Sequence, residues 1–175
     1  TVGLRLEEPL RQGAERPELV LIWTTTPWTL PSNVAIAVGP DVEYVTVHVD
    51  EDLDSPVAGQ DVVIAKDLLG SYARELGEDP QVLATCTGAD LVGRRYHPIF
   101  DYFDDAAHRA EGAAPGPNAW TIIAADFVTT SDGTGLVHMA SAFGEDDMIA
   151  CSEAGIETVV PVDDGGCLTE EVSDY

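Results

Sequence analysis

The segment Leu19–Val38, LVLIWTTTPWTLPSNVAIAV, places a polar loop between two apolar runs. The first run, 19–23, is rich in β-forming residues and ends at a breaker, which is typical of a buried strand. Pro27 then removes a backbone donor and disfavours helix at Thr26. The second run, 34–38, predicts another strand. Two buried strands would therefore hold an irregular loop with three threonine hydroxyls, an arrangement that suits a functional site.

The length and composition are those of one globular domain. With 175 residues and 45% hydrophobic residues, the chain can bury a sizeable core, and we expect a single domain over 1–175. No apolar run approaches the roughly 18 residues that a membrane span needs, and no secretion signal is present. We therefore expect a cytoplasmic protein without membrane contact. Because the chain begins at Thr1 instead of Met, we expect an excised fragment or a processed product.

The charge is strongly acidic, with 32 acidic and 8 basic residues and a formal net charge of −24. Lys and Arg supply most nucleic-acid affinity by neutralising phosphates, so the isolated chain should bind nucleic acid weakly. Solubility is the simpler explanation of the charge, and a salt-adapted source is the alternative.

The three cysteines argue against both a disulfide framework and a metal site. Cys86, Cys151 and Cys167 are an odd number and show no paired spacing. Paired Cys or His ligands at zinc-binding spacing are absent as well. We expect no metal and no organic cofactor.

The pattern along the chain predicts a mainly β fold with a few helices. Helices are predicted at 66–76 and 143–154, and the Ala-, Gly- and Pro-rich segment 104–118 is predicted to be an exposed loop. Many short strands with two helices favour a closed, β-barrel-like architecture. The strands are predicted at 2–6, 19–23, 34–38, 44–49, 62–65, 82–85, 120–129, 135–139 and 158–162.

Several motifs, in order, resemble the editing domain of isoleucyl-tRNA synthetases. They are WTTTPWTLPSN at 23–33, GTGLVH at 133–138, AFGEDD at 142–147 and, more weakly, LVGRRYHPIFDYF at 91–103. In the valine and leucine sister domains an Arg-Pro pair usually follows the two threonines. The Thr26-Pro27-Trp28 sequence of this chain therefore favours the isoleucine branch.

The resemblance also implies an architecture. Editing domains of the Ile/Val/Leu-tRNA synthetase type are closed barrels inserted into a Rossmann catalytic body. The HIGH and KMSKS signatures of that body are absent here. We therefore expect no amino-acid activation and no ATP binding by this chain.

The threonine loop provides the first candidate catalytic residues, Thr24, Thr25 and Thr26. Ester hydrolysis needs a positioned water and donors for the developing oxyanion. Threonine hydroxyls donate and accept hydrogen bonds, but they are not general bases near neutral pH. The proton acceptor must therefore be a substrate group, a water chain or another side chain. Threonine is also common at strand ends for purely structural reasons.

Asp147 and His138 are the other candidate catalytic and substrate-binding residues. The resemblance implies that Asp147 holds the α-ammonium group of the substrate and that His138 lies in the pocket. An acidic residue at a helix start is also favoured by capping and by the helix dipole. Ser141 departs from the family pattern, which usually has proline there, and this could loosen the turn between the two candidates.

Trp28 and Asn33 are further candidates for substrate binding. The indole of Trp28 could line the pocket or stack on a terminal adenine, or it could be a core anchor. Asn33 could contact substrate or fix the loop as a turn residue.

The resemblance implies hydrolytic proofreading of valyl-tRNA(Ile). The implied partners are the 3′ end of mischarged tRNA(Ile) and the remainder of the parent synthetase, with the chain itself monomeric. Two alternatives stay open: an editing domain of a valine- or leucine-type synthetase, and a catalytically inactive module that binds the aminoacyl end. An unrelated acidic β-domain with a fortuitous motif match would fail to bind aminoacyl adenosine analogues.

Overall fold

The computed structural model describes residues 1–103 and 114–172 of the 175. The described chain is a mixed α/β structure with two mixed sheets. Its strands are β1 (Val2–Arg5), β2 (Glu18–Ile22), β3 (Ala35–Val38), β4 (Glu43–His48), β5 (Asp61–Ala65), β6 (Gln81–Thr87), β7 (Thr121–Ala124) and β8 (Leu136–Met139).

The larger sheet has five strands in the order β1-β2-β5-β4-β6. Strands β2 and β5 are parallel, while β1 with β2, β4 with β5 and β4 with β6 are antiparallel. Alternate residues of β2 point to opposite sides: Val20 and Ile22 enter one apolar cluster, and Leu21 enters a second. The strand is therefore buried on both faces, as its continuous apolar run predicted.

The smaller sheet has the order β7-β3-β8, with β3 parallel to β7 and antiparallel to β8. The first apolar cluster contains Ile36, Ile122 and Leu136 from this sheet together with Val63 from the larger one, so the main core lies between the sheets. The predicted closed barrel is not found in the described chain. The strands divide into two sheets, and an isolated bridge from Trp23 to Val137 connects the end of β2 to β8. The segment 95–96 forms further isolated bridges, from Arg95 to Thr121 in β7 and from Tyr96 to Leu6 beyond β1.

The helices are shorter and more varied than predicted. Helix α1 (Ala73–Leu76) follows a 3-10 helix at Lys66–Tyr72, and Gly77, with a φ of 93°, ends it. Helix α2 (Gly88–Leu91) was not predicted, although Thr87 and Asp90 form a capping box there. Helix α3 (Glu145–Glu153) confirms the predicted second helix, and a further 3-10 helix lies at Glu170–Val172.

A buried ionic group, here called the Arg11 cluster, fixes the N-terminal loop to the larger sheet. Arg11 Nε donates to Glu18 Oε1 at 2.6 Å, and its Nη2 donates to Asp61. His48 Nδ1 donates to the other oxygen of Asp61 at 2.7 Å. Glu18 and Asp61 are neighbours in the parallel pairing of β2 and β5. The single positive charge of Arg11 therefore pairs with two buried carboxylates and offsets their mutual repulsion.

The predicted exposed loop at 104–118 lies largely outside the described residues, since only 114–118 are described. These five residues contain no helix or strand, and Pro117 and Asn118 are exposed while Pro115 is buried. In the described part of the chain, no helix is both long enough and apolar enough to cross a bilayer.

Candidate functional site

A parallel bridge between Trp23 and Val137 places the threonine loop beside the end of β8. The amide of Trp23 donates to the carbonyl of Leu136 at 3.0 Å, and the amide of His138 donates to the carbonyl of Trp23 at 3.4 Å. Because the pairing is parallel, the two segments of the chain leave the bridge in the same direction. The residues after Trp23 and those after Val137 therefore reach the same end of the molecule.

The turn that follows Gly133 needs glycine for packing. Gly135 has a φ of 76°, and a Cβ at this position would lie 2.4 Å from the Cβ of Ala65 in β5. The amide of Ala65 donates to the carbonyl of Thr134 at 2.9 Å. The glycines of the GTG motif thus allow the start of β8 to approach the larger sheet closely.

The threonine loop is partly helical instead of wholly irregular. A 3-10 helix occupies Pro27–Ser32 with Pro27 in its first turn, where a missing amide hydrogen costs nothing. The amide of Thr26 donates to Thr24 Oγ1 at 3.0 Å, and the hydroxyls of Thr24 and Thr26 lie 3.3 Å apart. Both side chains are half-buried, whereas Thr25 is exposed.

The 3-10 turn brings a fourth threonine, Thr29, beneath Thr26. Thr29 is buried, and its hydroxyl donates to the carbonyl of Thr26 at 2.8 Å. The hydroxyls of Thr26 and Thr29 are 3.3 Å apart, and Thr29 Oγ1 is also 3.0 Å from His138 Nε2. Thr29 therefore connects the exposed threonine loop to a buried histidine.

His138 is a buried residue with both ring nitrogens engaged. Its residue exposure is 6%, and Asn33 Nδ2 donates to its Nδ1 at 2.8 Å while Nε2 contacts Thr29. Burial lowers the pKa of His138 to about 4, with a hydrogen bond to the Thr29 backbone opposing the effect. The imidazole is therefore neutral at pH 7 and has no free nitrogen with which to take a proton.

Asn33 is the centre of these contacts, which we call the Asn33 network. Its Nδ2 donates to His138 Nδ1 and to the carbonyl of Ala35, while its Oδ1 accepts from the Tyr96 hydroxyl at 2.7 Å. Its backbone carbonyl accepts from the indole of Trp120 at 3.2 Å. The full network contains Thr24, Thr26, Thr29, Asn33, Tyr96 and His138.

Asp147 lies in the first turn of α3 and reaches back to the end of β8. Its Oδ2 accepts from the amide of Ala140 at 2.8 Å, two residues beyond His138. Burial raises the pKa of Asp147, the Ala140 hydrogen bond acts against this, and nearby Asp146 raises the pKa further. Among the described residues, the hydrogen bond of this carboxylate uses Oδ2, so Oδ1 is available to a cationic group.

Two other residues occupy contrasting positions. Trp28 is 64% exposed and is therefore not a core anchor. Ser141 is 2% exposed, and its hydroxyl has no hydrogen-bond partner within the described residues. The buried hydroxyl stands where the resemblance leads us to expect proline.

The structure thus brings Thr24, Thr26, Asn33 and His138 into one hydrogen-bonded network, while Asp147 is bonded to Ala140, two residues beyond His138. Sequence reasoning missed two members of this network. Thr29 lies three residues after Thr26, the spacing of one 3-10 turn, and Pro27 was the available signal for that turn. Tyr96 lies in the more weakly matching motif at 91–103, which gave no indication of its partner.

The described residues contain no group of three or more His, Cys, Asp or Glu side chains that could hold a metal ion. Two clefts among the described residues lie away from the threonine loop. One of about 770 Å³ is bordered by residues of the 50–53 and 76–81 segments, and one of about 540 Å³ by residues around Arg95 and Trp120. The candidate site is therefore a surface built around the threonine loop and not one of these clefts.

The known proteins whose sequences resemble this chain are much longer than the chain itself. It is 54% identical over 155 residues to the isoleucine–tRNA ligase of Corynebacterium diphtheriae, covering 89% of this chain and 14% of that protein. It is 50% identical over 175 residues to the Mycobacterium tuberculosis enzyme, covering 100% of this chain and 15% of that protein. The chain thus spans about one seventh of the length of these relatives. No protein-family profile matches it.

Solved structures share its fold. The editing domain of the P. knowlesi cytosolic leucyl-tRNA synthetase has a TM-score of 0.64 at 13% identity, covering 84% of this chain and 58% of that chain. A leucyl-tRNA synthetase CP1 domain gives 0.64 at 12% identity, covering 92% and 69%. This chain is homologous to a segment of isoleucine–tRNA ligases and has the fold of leucyl-tRNA synthetase editing domains. The isoleucine assignment comes from sequence identity, and the leucine-type structures establish the fold alone.

Proposed function

We propose that this chain hydrolyses the ester of valyl-tRNA(Ile) as the editing segment of a cytoplasmic isoleucine–tRNA ligase. The observations that support the proposal are the bridge that holds the start of the threonine loop against β8 and the hydrogen bond that holds the Asp147 carboxylate just beyond the end of β8. An aminoacyl ester has a carbonyl to attack and a free α-ammonium group, and this surface offers one feature for each. The partners would be the 3′ end of the mischarged tRNA and the rest of the synthetase.

Asp147 would recognise the ammonium group. A carboxylate with one oxygen held by a backbone amide has a fixed direction, and its second oxygen can accept a charge-assisted hydrogen bond. A cation next to this carboxylate would favour its ionised form and oppose the effect of burial on its pKa. Ordinary esters lack this ammonium, so the contact would select aminoacyl esters.

The threonines would position the water. In the reaction, water attacks the ester carbonyl, the carbonyl oxygen becomes an oxyanion, and collapse of this intermediate releases valine and the ribose hydroxyl of the tRNA. Thr24 and Thr26 offer hydroxyls and the exposed Thr25 offers its backbone amide. None of them is a base near pH 7, and His138 is engaged on both nitrogens. The proton would therefore pass to a neighbouring ribose hydroxyl or a water chain.

The physical need for such a site is a matter of size. A pocket that binds isoleucine cannot strongly exclude valine, because one methylene gives only about 1–3 kcal/mol of discrimination, a general figure for which this class of synthetase is the usual example. A second site that admits valine and rejects isoleucine by steric clash would remove the error. No metal or organic cofactor enters this scheme.

The experiment is a titration with small substrates, because the charge of −24 would make a negative result with tRNA ambiguous. Nonhydrolysable valyl- and isoleucyl-adenosine analogues are added to the 175-residue chain, and NMR shifts are followed. We expect the valyl analogue to bind more tightly and to perturb Thr24–Thr26 and Asp147. Equal binding of both analogues would contradict the size selection, and binding without hydrolysis of a valyl ester would leave only a binding module.

Asp147→Asn tests the ammonium contact, with Asp146→Asn as the matched control. Both changes remove one charge from the first turn of α3, but Asp146 is exposed. We expect Asp147→Asn to weaken valyl-analogue binding by about tenfold or more and Asp146→Asn to leave it within about twofold. Equal effects of the two variants would show that only the overall charge matters and would overturn the assignment of Asp147.

A further inference from the structure

The Tyr96 hydroxyl and the Ala35 carbonyl together determine the orientation of the Asn33 amide. Tyr96 is fully buried and can only donate to Asn33 Oδ1 at 2.7 Å, because that oxygen has no hydrogen to give. On the other side, Asn33 Nδ2 donates to the carbonyl of Ala35 at 3.0 Å. A flipped amide would place two oxygens against each other at Ala35, and the Tyr96 hydroxyl would have to accept from the NH₂ group and lose its own acceptor. The amide therefore has one satisfied orientation.

That orientation sets the tautomer of His138. Both hydrogens of Asn33 Nδ2 are used, one of them on His138 Nδ1 at 2.8 Å. Nδ1 must accept, so the single proton of the neutral imidazole is on Nε2. Nε2 then donates to Thr29 Oγ1 at 3.0 Å.

The tautomer in turn sets the direction of the hydroxyl chain. Because Nε2 donates to Thr29 Oγ1, the hydroxyl hydrogen of Thr29 is left for another acceptor, and it is donated to the carbonyl of Thr26 at 2.8 Å. Thr29 Oγ1 can therefore only accept from the Thr26 hydroxyl 3.3 Å away. The Thr26 hydrogen then points inward, and Thr24, 3.3 Å further out, can donate to Thr26 Oγ1. The outer face of this row presents oxygen lone pairs. A water that donates a hydrogen to such a row keeps its own lone pair free for attack on a carbonyl.

We propose that Tyr96 is a positioning residue that, through the Asn33 amide, holds His138 as the Nε2–H tautomer and thereby fixes the hydrogen-bond direction of the threonine row. Its effect on ester hydrolysis rests on the proposed function, whereas its effect on the tautomer does not. The backbone of Asn33 is held separately, since its amide donates to Leu30 and its carbonyl accepts from Trp120. Loss of the Tyr96 hydroxyl should therefore disturb the side-chain amide and leave the loop in place.

The test is the tautomeric state of His138 in Tyr96→Phe, measured on the full chain with ¹⁵N-labelled histidine. Long-range ¹H–¹⁵N spectra distinguish protonated from unprotonated ring nitrogens, so they report the tautomer directly. We expect the unchanged chain to show Nε2–H alone. In Tyr96→Phe, Asn33 Oδ1 loses its donor, and the Ala35 carbonyl alone still favours the original orientation. A flipped amide would give up that contact and would regain a donor for Oδ1 from a protonated His138 Nδ1. We expect a mixture that includes the Nδ1–H form.

Asn33→Asp supplies a second variant and a spectral reference. It replaces the amide donor facing His138 Nδ1 with a carboxylate oxygen, so Nδ1 must carry a proton. Tyr44→Phe is the matched control, because Tyr44 is also fully buried and its hydroxyl donates to the carbonyl of Gly135 at 2.6 Å, outside the Asn33 network. We expect Tyr44→Phe to keep the Nε2–H form.

Hydrolysis of a valyl ester of adenosine is measured on the same samples. We expect kcat of Tyr96→Phe to fall about tenfold with KM within about twofold, since the water and not the ammonium contact is disturbed. Pure Nε2–H in Tyr96→Phe would overturn the proposal, as would a mixture in Tyr44→Phe as well. A changed tautomer with unchanged kcat would overturn the link to catalysis. If the unchanged chain hydrolyses nothing, the proposed function fails, while the spectra still decide the role of Tyr96.

Discussion

Two buried polar groups in this molecule place their histidine protons on opposite ring nitrogens. In the Arg11 cluster, His48 Nδ1 donates to the carboxylate of Asp61. In the Asn33 network, His138 Nδ1 accepts from an amide, and burial lowers the pKa of His138 to about 4. The first group is ionic and includes two buried carboxylates, whereas the second is neutral throughout. Histidine is thus part of an ionic cluster in the larger sheet, at His48, and of an uncharged hydrogen-bond network in the smaller sheet, at His138.

The two groups differ in where they lie, and this difference suggests different roles for them. The Arg11 cluster joins a loop to the larger sheet, and its charges are acceptable only because each has a partner. The Asn33 network runs from the core to half-buried hydroxyls at the surface, and it contains no charged group when His138 is neutral. We therefore expect the first group to determine stability and the second to determine chemistry. The following experiments test that division.

The largest effect on stability is expected from Arg11→Met. It keeps an apolar stem but leaves Glu18 and Asp61 buried side by side without their cation. We expect the free energy of unfolding to fall by about 3–5 kcal/mol, because an uncompensated buried charge is costly. Urea unfolding measures it. Arg16→Met removes an exposed pair with Glu51 and should change the value by less than about 0.5 kcal/mol. Equal losses would show that the cluster is no more than a surface pair.

The next effect is the pH dependence that His138 contributes. Its folded pKa of about 4 lies below the ordinary value of 6.5, so the unfolded chain binds the proton more readily between these values. The stability is therefore full above pH 6.5 and is lost as the pH falls toward 4. Lowering the pKa of His138 from 6.5 to about 4 corresponds to roughly 3 kcal/mol in the free energy of unfolding. Unfolding of the unchanged chain and of His138→Gln between pH 7.5 and 4.5 measures this, and parallel profiles would contradict the assignment.

The sequence predicted most strands well because each is a short apolar run closed by a breaker. The strand predicted at 158–162 is wrong, since this segment forms only an isolated bridge at Val162. The segment Glu18–Ile22 and the segment Ala35–Val38 lie within two residues of their predicted positions at each end. The resemblance to isoleucyl-tRNA synthetases was confirmed by 50% sequence identity over the whole chain, and the editing-domain fold by the leucyl-tRNA synthetase structures. The closed barrel was wrong, since strand content does not fix which edges pair. The pairing here depends on parallel contacts between strands far apart in sequence, such as β3 with β7.

The site was predicted in part for similar reasons. The candidates Thr24, Thr26, Asn33 and His138 do share one network, but their order within it depends on Thr29 and Tyr96, which lie 67 residues apart in the sequence. Spacing along the chain carries no information about such a contact. The exposure of Trp28 could not be predicted from the sequence either, because an indole in an apolar context occurs both in cores and at surfaces.

The smallest of these effects on stability is expected from Thr29→Val. Valine keeps the shape of threonine and removes one hydroxyl, so His138 Nε2–H loses its acceptor and Thr26 loses two contacts. We expect a loss of about 1–2 kcal/mol in the free energy of unfolding. Thr134→Val is the matched control, since Thr134 is also buried and its hydroxyl donates to the carbonyl of Leu136 at 3.2 Å.

The two threonine variants separate stability from chemistry. If the Asn33 network serves hydrolysis, Thr29→Val should lower kcat for a valyl ester by about tenfold or more, while Thr134→Val should cost similar stability and leave kcat within about twofold. An equal fall in kcat for both would mean that activity simply follows stability. The neutral network would then be an ordinary structural element, and the contrast with the Arg11 cluster would be one of charge alone and not of role.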